Sequence, residues 1–361
     1  MTATSGSRRL PVGGPFFEDF KPGQVFDDAP AVTLTDGLAT LHQSLSGDRL
    51  RLPLDHELSR WVTGRARPLA HPTLVCHVAI GQTTAASQRV KGNLFYRRLQ
   101  VLRPVHIGDT LSTRAEVVAL RQNRPKPGRP ATGMVALRIV TENQRGKPVL
   151  DFWRCPMIPL RDPDGETGHA DSFDDIPADI DLARLAAKTP WGWRLSVFKD
   201  RVGRGGAHFG DVAAGTTYVV EGRDTVTAGP ELVRATLNLA AVHTDPAAGP
   251  DGRRLVYGGH TISLAGAAAT RALPNLVTIL AWRSCDHTGP VFEGDVLRTE
   301  VTVDALHPLT QGGMVDLHAV VWADRGGTGG VPRTTAAGAA RERDGEPEQP
   351  VLDWRFVALM A

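Results

Sequence analysis

Gly294-Asp295-Val296-Leu297, Gly313-Met314-Val315-Asp316-Leu317 and Pro350-Val351-Leu352-Asp353 repeat, in the same order, Gly108-Asp109-Thr110-Leu111, Gly133-Met134-Val135-Ala136-Leu137 and Pro148-Val149-Leu150-Asp151. The offsets of 186, 180 and 202 residues differ only by lengths that hairpin loops absorb. The chain is therefore a duplication, two copies of one domain within 361 residues, each long enough to bury a core. A duplicated fold needs chemistry in one copy only, so function is sought where the copies differ.

Working outward from the repeats, each copy opens on an acidic, aromatic segment before a glycine turn, Phe16 to Gly23 in one and His208 to Gly215 in the other. A short strand follows, then a threonine-bearing helix start at Val32-Thr33-Leu34-Thr35 and Asp224-Thr225-Val226-Thr227. The middle of each copy is apolar without period-two alternation. Ile262, Gly266, Ala269 and Leu273 define a helix face of mainly small residues, bounded by Gly258-Gly259 and Pro274. The last third alternates, Leu111, Thr113, Ala115 and Val117 in one copy and Val315, Leu317, Ala319 and Val321 in the other, as half-buried antiparallel strands do.

This order predicts an α+β fold in which each half wraps a curved antiparallel sheet around one central helix. The boundaries read as an unstructured N-terminus over 1–14, an N-terminal domain over 15–161, a linker over 162–199 and a C-terminal domain over 200–361. Arg161 to Ile180, rich in Asp, Pro and Gly, sets the linker, and Gly326 to Gln349 reads as a mobile excursion of the second copy alone.

Composition excludes several classes of function. With 41 basic against 39 acidic residues and no basic stripe interleaved with aromatics, a nucleic-acid partner is not expected. The basic run Arg121 to Pro130 reads as a solvated hairpin loop. Cys76, Cys155 and Cys285 are isolated, without a Cys-x-x-Cys pair, so neither a metal nor a redox centre is expected, and the cytoplasm is the expected location. No stretch has the length of a membrane span or the apolar core of a signal peptide.

The copies differ at Asn238-Leu239-Ala240-Ala241-Val242-His243-Thr244-Asp245. Here the sequence resembles the MaoC-like, hydratase-2 family of double hotdog proteins, whose signature is Ser-Gly-Asp-x-Asn-Pro-[Ile/Val]-His-x-Asp. His243 and Asp245 match its end, while the acidic position five before the histidine falls on Asn238. The first copy matches the beginning with Ser46-Gly47-Asp48, but the histidine position is Pro53, which handles no proton. Tyr257-Gly258-Gly259-His260-Thr261-Ile262-Ser263-Leu264-Ala265, Leu74 to Thr83 and Asn143-Gln144-Arg145-Gly146 are similar to the branch that dehydrates β-methylmalyl-CoA to mesaconyl-CoA. Within that branch, the resemblance implies, asparagine at position 238 is an ordinary variant.

The resemblance implies a double hotdog with an active second half, an acyl-CoA substrate, no cofactor and a homodimer. Adding water across a double bond conjugated to a thioester needs a base for the water, a donor for the α-carbon and stabilisation of the enolate oxygen. Neutral His243 serves the first two in turn. Asn238 holds the water through its carbonyl without titrating. The oxyanion falls to the N–H of Gly259 at the start of the central helix, where amides lack partners and a missing side chain permits close approach.

Asp245 is more a structural acceptor than an acid. Tyr257, Gly258 and His260 line the acyl pocket or only pack there, with His287 a weaker candidate of the same kind. Arg283 is the first candidate to clamp a free carboxylate of the acyl group, against a plain salt bridge. Asp48 is expected to face a separate cleft. Two other readings stay open. One is a thioesterase, which usually needs a carboxylate near the central helix, where Gly259 to Arg271 has none. The other is a non-catalytic acyl-thioester-binding subunit, in which Asn238 marks lost chemistry.

Overall fold

A computed structural model describes residues 9–189, 191–324 and 350–361, with the backbone of 342–343 and 346–347. The first copy runs through β1 (Val25–Phe26), β2 (Val32–Thr33), α1 (Asp36–Ser46), α2 (Arg51–Leu54), α3 (His56–Thr63), α4 (Pro72–Gln82), β3 (Gly92–Val101), β4 (Thr110–Gln122), β5 (Thr132–Asn143) and β6 (Pro148–Pro159). Two helices follow, α5 (Leu182–Lys188) and α6 (Leu195–Val202). The second copy contains β7 (Thr217–Thr225), α7 (Gly229–Ala235), α8 (Gly258–Ala272), β8 (Leu276–Asp286), β9 (Val296–Pro308), β10 (Gly313–Asp324), the short pair β11 (Glu342–Arg343) and β12 (Glu346–Pro347), and β13 (Leu352–Met360). The excursion read at Gly326 to Gln349 lies outside the described residues apart from that pair.

The two half-sheets are one sheet. Strands run in the order β1-β4-β5-β6-β3-β8-β13-β10-β9-β7, with β2 also on β4. The seam is the antiparallel pairing of β3 with β8, which sets Tyr96 opposite Cys285 and Leu99 opposite Trp282. Beneath its concave face lie α4 and α8, whose side chains share one apolar core with both halves of the sheet. Each central helix is buried nearly all round, not along one face, because the sheet wraps it and the first helix of the other copy with its following loop closes on the remaining side. Pro at the first position of α4 fits a site whose N–H has no helical partner.

Small residues permit this closeness. A methyl on Gly81 of α4 would stand 1.7 Å from the Thr236 carbonyl oxygen, and one on Gly266 of α8 would stand 3.2 Å from an Asp48 carboxylate oxygen. The loop after the first helix of each copy is thus braced by the central helix of the other copy.

Residues 162–199, read as a linker, are packed and partly helical. Phe173 and Ile176 cover Trp153, Ala119 and Ala136 on the outer face. Further on, Ile180, Leu185, Trp193, Leu195 and Phe198 cover Val277, Leu280, Val357 and Leu359. This explains why Met314, Asp316 and other outward positions of the middle strands are buried, where alternation alone predicts solvent. Phe198 is fully buried there. Phe198→Ala should cost about 3–5 kcal/mol, read as a lower denaturant midpoint with an unchanged slope; a midpoint within error of wild type would mean that this cover contributes little.

Two helix starts differ in kind. Thr35 caps α1, its hydroxyl accepting from the Leu38 N–H at 3.1 Å, as read from sequence. The start of α7 has no threonine cap: the chain turns through Ala228 in the left-handed region instead, φ 60°. Among the described residues no helix is long and apolar enough to cross a membrane.

Candidate active site

The loop after α7 is shaped by local rules. Leu237 takes a left-handed conformation, φ 58°, costly for a branched residue and therefore held by its surroundings. Next to it the Asn238 Oδ1 accepts from the Ala240 N–H at 2.9 Å, an Asx turn that commits the carbonyl to the loop. Among the described residues the Asn238 amide nitrogen has no hydrogen-bond partner, while the carbonyl oxygen accepts this one bond and keeps a second lone pair. The turn after α4 anchors the loop: Leu239 N–H donates to Thr84 Oγ1 at 2.9 Å and Ala241 N–H to the Gln88 carbonyl at 3.0 Å.

Held this way, Ala241 to His243 form one 3-10 turn and His243 points back at the start of α8. Its Nδ1 lies 3.0 Å from the Leu255 carbonyl oxygen. A carbonyl only accepts, so Nδ1 carries the proton and Nε2 presents a bare lone pair. The ring is half-buried, with its centroid 5.4 Å from that of Tyr257. Burial pushes its pKa down to about 4, the hydrogen bond to Leu255 opposing and the Arg154 charge assisting. At neutral pH it is a neutral base.

The central helix begins at Gly258, one residue before the Gly259 read from sequence. The Gly258 and Gly259 amides precede the first helical hydrogen bonds and have no acceptor within the described residues. Both need to be glycine. A methyl at 258 would fall 2.5 Å from the His287 ring, and one at 259 would fall 2.4 Å from the Tyr257 ring and 2.8 Å from His77. His287, also half-buried and held down to about 4 by burial and by His243, therefore stands at the helix start. Sequence ranked it low because the 29 positions from Gly258 to His287, filled by α8 and β8, hide this contact. Tyr96 on β3 packs edge-on to His287 at 6.5 Å, and the Tyr257 hydroxyl is buried without a partner.

Arg154 on β6 was not singled out in the sequence at all. It is 4 % exposed and sits opposite Tyr96 in the β3–β6 pairing. Nη1 donates to Thr83 Oγ1 at 2.9 Å and Nη2 to Ser87 Oγ at 3.0 Å, while Nε has no partner among the described residues. A buried arginine in an apolar stretch gives no pattern to read.

The remaining candidates lie elsewhere. Asp245 is exposed and its carboxylate accepts from the Ala247 N–H at 2.9 Å, the structural role expected of it. His260 is buried and engages the Thr227 backbone ahead of α7. Arg283 does not reach the acyl site. It projects from the outer face of β8, opposite to its core-facing neighbour Trp282, and pairs with Asp316 at 2.8 Å and with Asp179 of the covering segment. Asp48 lies 3.2 Å from His71 Nε2 and against α8, in the corresponding place of the first copy, and Pro53 forms part of α2. His42 of α1 packs at a tilt against His71 at the start of α4 and His77 within it, with centroids 4.9 and 5.7 Å apart.

Three imidazoles, those of His77, His243 and His287, make the fold acid-sensitive. His77 is held down to about 3, and His243 and His287 to about 4, mainly by burial. Between an unfolded pKa near 6.5 and these values the unfolded chain binds protons that the folded chain refuses. Stability is therefore full above pH 6.5 and falls as pH drops, by about 1.4 kcal/mol per pH unit for each such ring. Denaturant midpoints should decline steeply from pH 7 to pH 4.5; a flat profile would contradict this assignment.

Similarity to known proteins agrees with the geometry. The family model described as mesaconyl-CoA hydratase matches residues 10–274. The β-methylmalyl-CoA dehydratase of Chloroflexus aurantiacus is 32% identical over 294 residues, covering 79% of this chain and 80% of that protein. The mesaconyl-CoA hydratase of Cereibacter sphaeroides is 30% identical over 288 residues, covering 79% and 82%. Among solved structures, a conserved hypothetical protein of Mycobacterium tuberculosis with a double hotdog fold matches at TM-score 0.85 and 48% identity, over 98% of this chain and all of that one. A protein from Chloroflexus aurantiacus described as a putative MaoC domain dehydratase matches at 0.82 and 29%, over 98% and 99%. With two helix-and-sheet copies fused at β3 and β8, and a family match across most of its length, the chain belongs to the mesaconyl-CoA hydratase family and has its double hotdog fold.

Proposed function

We propose that the protein is a hydro-lyase that reversibly adds water to a 2-enoyl-CoA thioester, with mesaconyl-CoA and β-methylmalyl-CoA as the substrate pair. The observation that carries this reading is the His243 ring, its Nδ1 against the Leu255 carbonyl and its centroid 5.4 Å from that of Tyr257, beside a helix start whose first two amides have no acceptor among the described residues. The thioester oxygen rests on the Gly258 and Gly259 amides, which stabilise it as negative charge develops. His243 Nε2 takes a proton from water as the oxygen bonds to the β-carbon. The imidazolium formed, strongly acidic in its buried setting, returns that proton to the α-carbon, so one C–O and one C–H bond replace the π bond. The Asn238 amide nitrogen orients the water, and His287 and Tyr257 wall the acyl group. Asp245 stays outside as a loop cap.

Purified protein mixed with crotonyl-CoA or mesaconyl-CoA should lower the absorbance of the conjugated thioester. Tight binding without turnover of any enoyl-CoA would point instead to a thioester-binding subunit, and release of free CoA to a thioesterase. We place the protein in the cytoplasm, in keeping with its buried unpaired cysteines, and as a homodimer, in keeping with an open edge at β7 where Val219 is exposed.

A further inference from the structure

We infer that Arg154 is the residue that recognises the carboxylate on the β-carbon of the acyl group and so selects the dicarboxylic thioester proposed above over a plain 2-enoyl thioester. The inference rests on the hydration site proposed above, and the residue it names is not the arginine that sequence suggested.

Three observations lead to it. Arg154 is almost wholly buried, yet it makes no ion pair with any carboxylate among the described residues; its partners are the neutral hydroxyls of Thr83 and Ser87. Removing a guanidinium from water is expensive unless an anion meets it, and two hydroxyls do not supply one. Its Nε–H has no partner among the described residues, and each Nη keeps a second hydrogen that an anion can take up. Finally, Arg154 bonds to the turn whose Thr84 and Gln88 hold the His243 loop, and it stands opposite Tyr96, which packs against His287. In a 2-enoyl thioester whose β-carbon bears a carboxylate, that group is one bond from the carbon the water attacks. A receptor for it must lie close to the base, as Arg154 does and Arg283 does not.

The same guanidinium braces the turn that anchors the His243 loop, since Thr83 and Ser87 flank the Thr84 and Gln88 contacts. A test must separate bracing from recognition. Fumaryl-CoA and crotonyl-CoA differ only in a carboxylate for a methyl. In Arg154→Met the ratio of kcat/KM for fumaryl-CoA to that for crotonyl-CoA should fall about a hundredfold relative to wild type, and in Arg154→Lys by less, because charge remains without the planar fork. An equal loss on both substrates would reduce Arg154 to a brace and overturn the inference.

A second measurement needs no variant. By calorimetry wild-type protein should bind succinyl-CoA at least tenfold more tightly than butyryl-CoA, its counterpart without the carboxylate; equal affinities would overturn the inference. Because neither ligand can be hydrated, this result is independent of turnover. Failure to hydrate any enoyl-CoA with the affinity difference intact would sink the hydratase reading alone.

Discussion

His243→Ala should lower kcat for enoyl-CoA hydration by about 10² to 10⁴, the usual worth of a positioned proton carrier, while substrate still binds. The ring makes one hydrogen bond, to the Leu255 carbonyl, and is half-buried, so its loss leaves the loop held by Leu239, Ala241 and the Asn238 turn. The damage belongs in kcat because the proton transfers exist only on the reaction path. A second readout is the pH profile. A base held down to about 4 keeps kcat/KM of the free enzyme level from neutral pH to about 5 and lets it fall only below that. Hydration that survives His243→Ala at wild-type rate would remove the base assigned here, and His287, the other half-buried imidazole at the helix start, would be the next to test.

Gly81→Ala should be as damaging although residue 81 touches no substrate. In a helix interior alanine is preferred over glycine by about 1 kcal/mol. Here the added methyl would stand 1.7 Å from the Thr236 carbonyl oxygen and 2.8 Å from its carbon, both backbone atoms with nowhere to rotate. Overpacking of this kind costs about 1–3 kcal/mol or more, so the net effect is a lower melting temperature. The loop that moves to make room carries Asn238 and His243, and a displacement near 1 Å at a reacting group can cost about a hundredfold in rate. Gly37→Ala in α1 is the control: its methyl meets nothing closer than Thr35 Oγ1 at 3.8 Å, so stability should hold or rise. A Gly81→Ala protein as stable and active as wild type would mean that the first copy does not hold the second copy's loop.

Much of this organisation is written along the chain. Copies of Gly-Asp-x-Leu, Gly-Met-Val-x-Leu and Pro-Val-Leu-Asp mark equivalent strand starts at Gly108 and Gly294, at Gly133 and Gly313, and at Pro148 and Pro350, because hairpin turns and strand alternation are local demands. The small-residue helix from Gly258, the Thr35 cap and the His243 position are legible for the same reason: a few neighbouring residues decide them.

Other features depend on elements that meet only when the chain folds. Sequence offered Arg283 as the first candidate for an acyl carboxylate, with a surface salt bridge as the safer reading; side-chain direction on β8 sends it to the outer face, where Asp179 of the covering segment meets it. It passed over Arg154, whose meaning comes from what is missing around it. The segment over 162–199 looked like a spacer by composition, yet its scattered Ile, Leu, Trp and Phe suffice to cover the outer face once two half-sheets join at β3 and β8.

Sequence by itself determined the duplication, the helix-and-sheet order of each copy and the histidine that distinguishes the second, since each rests on short-range periodicity or on a local motif. Tertiary structure alone decided that Leu255 sets the tautomer of His243, that His287 stands over Gly258, that the turn after α4 braces the His243 loop and that Arg154 is buried without a counter-ion among the described residues. The physical reason is that hydrogen-bond tautomers, steric fit and uncompensated charge are properties of groups close in space and distant along the chain.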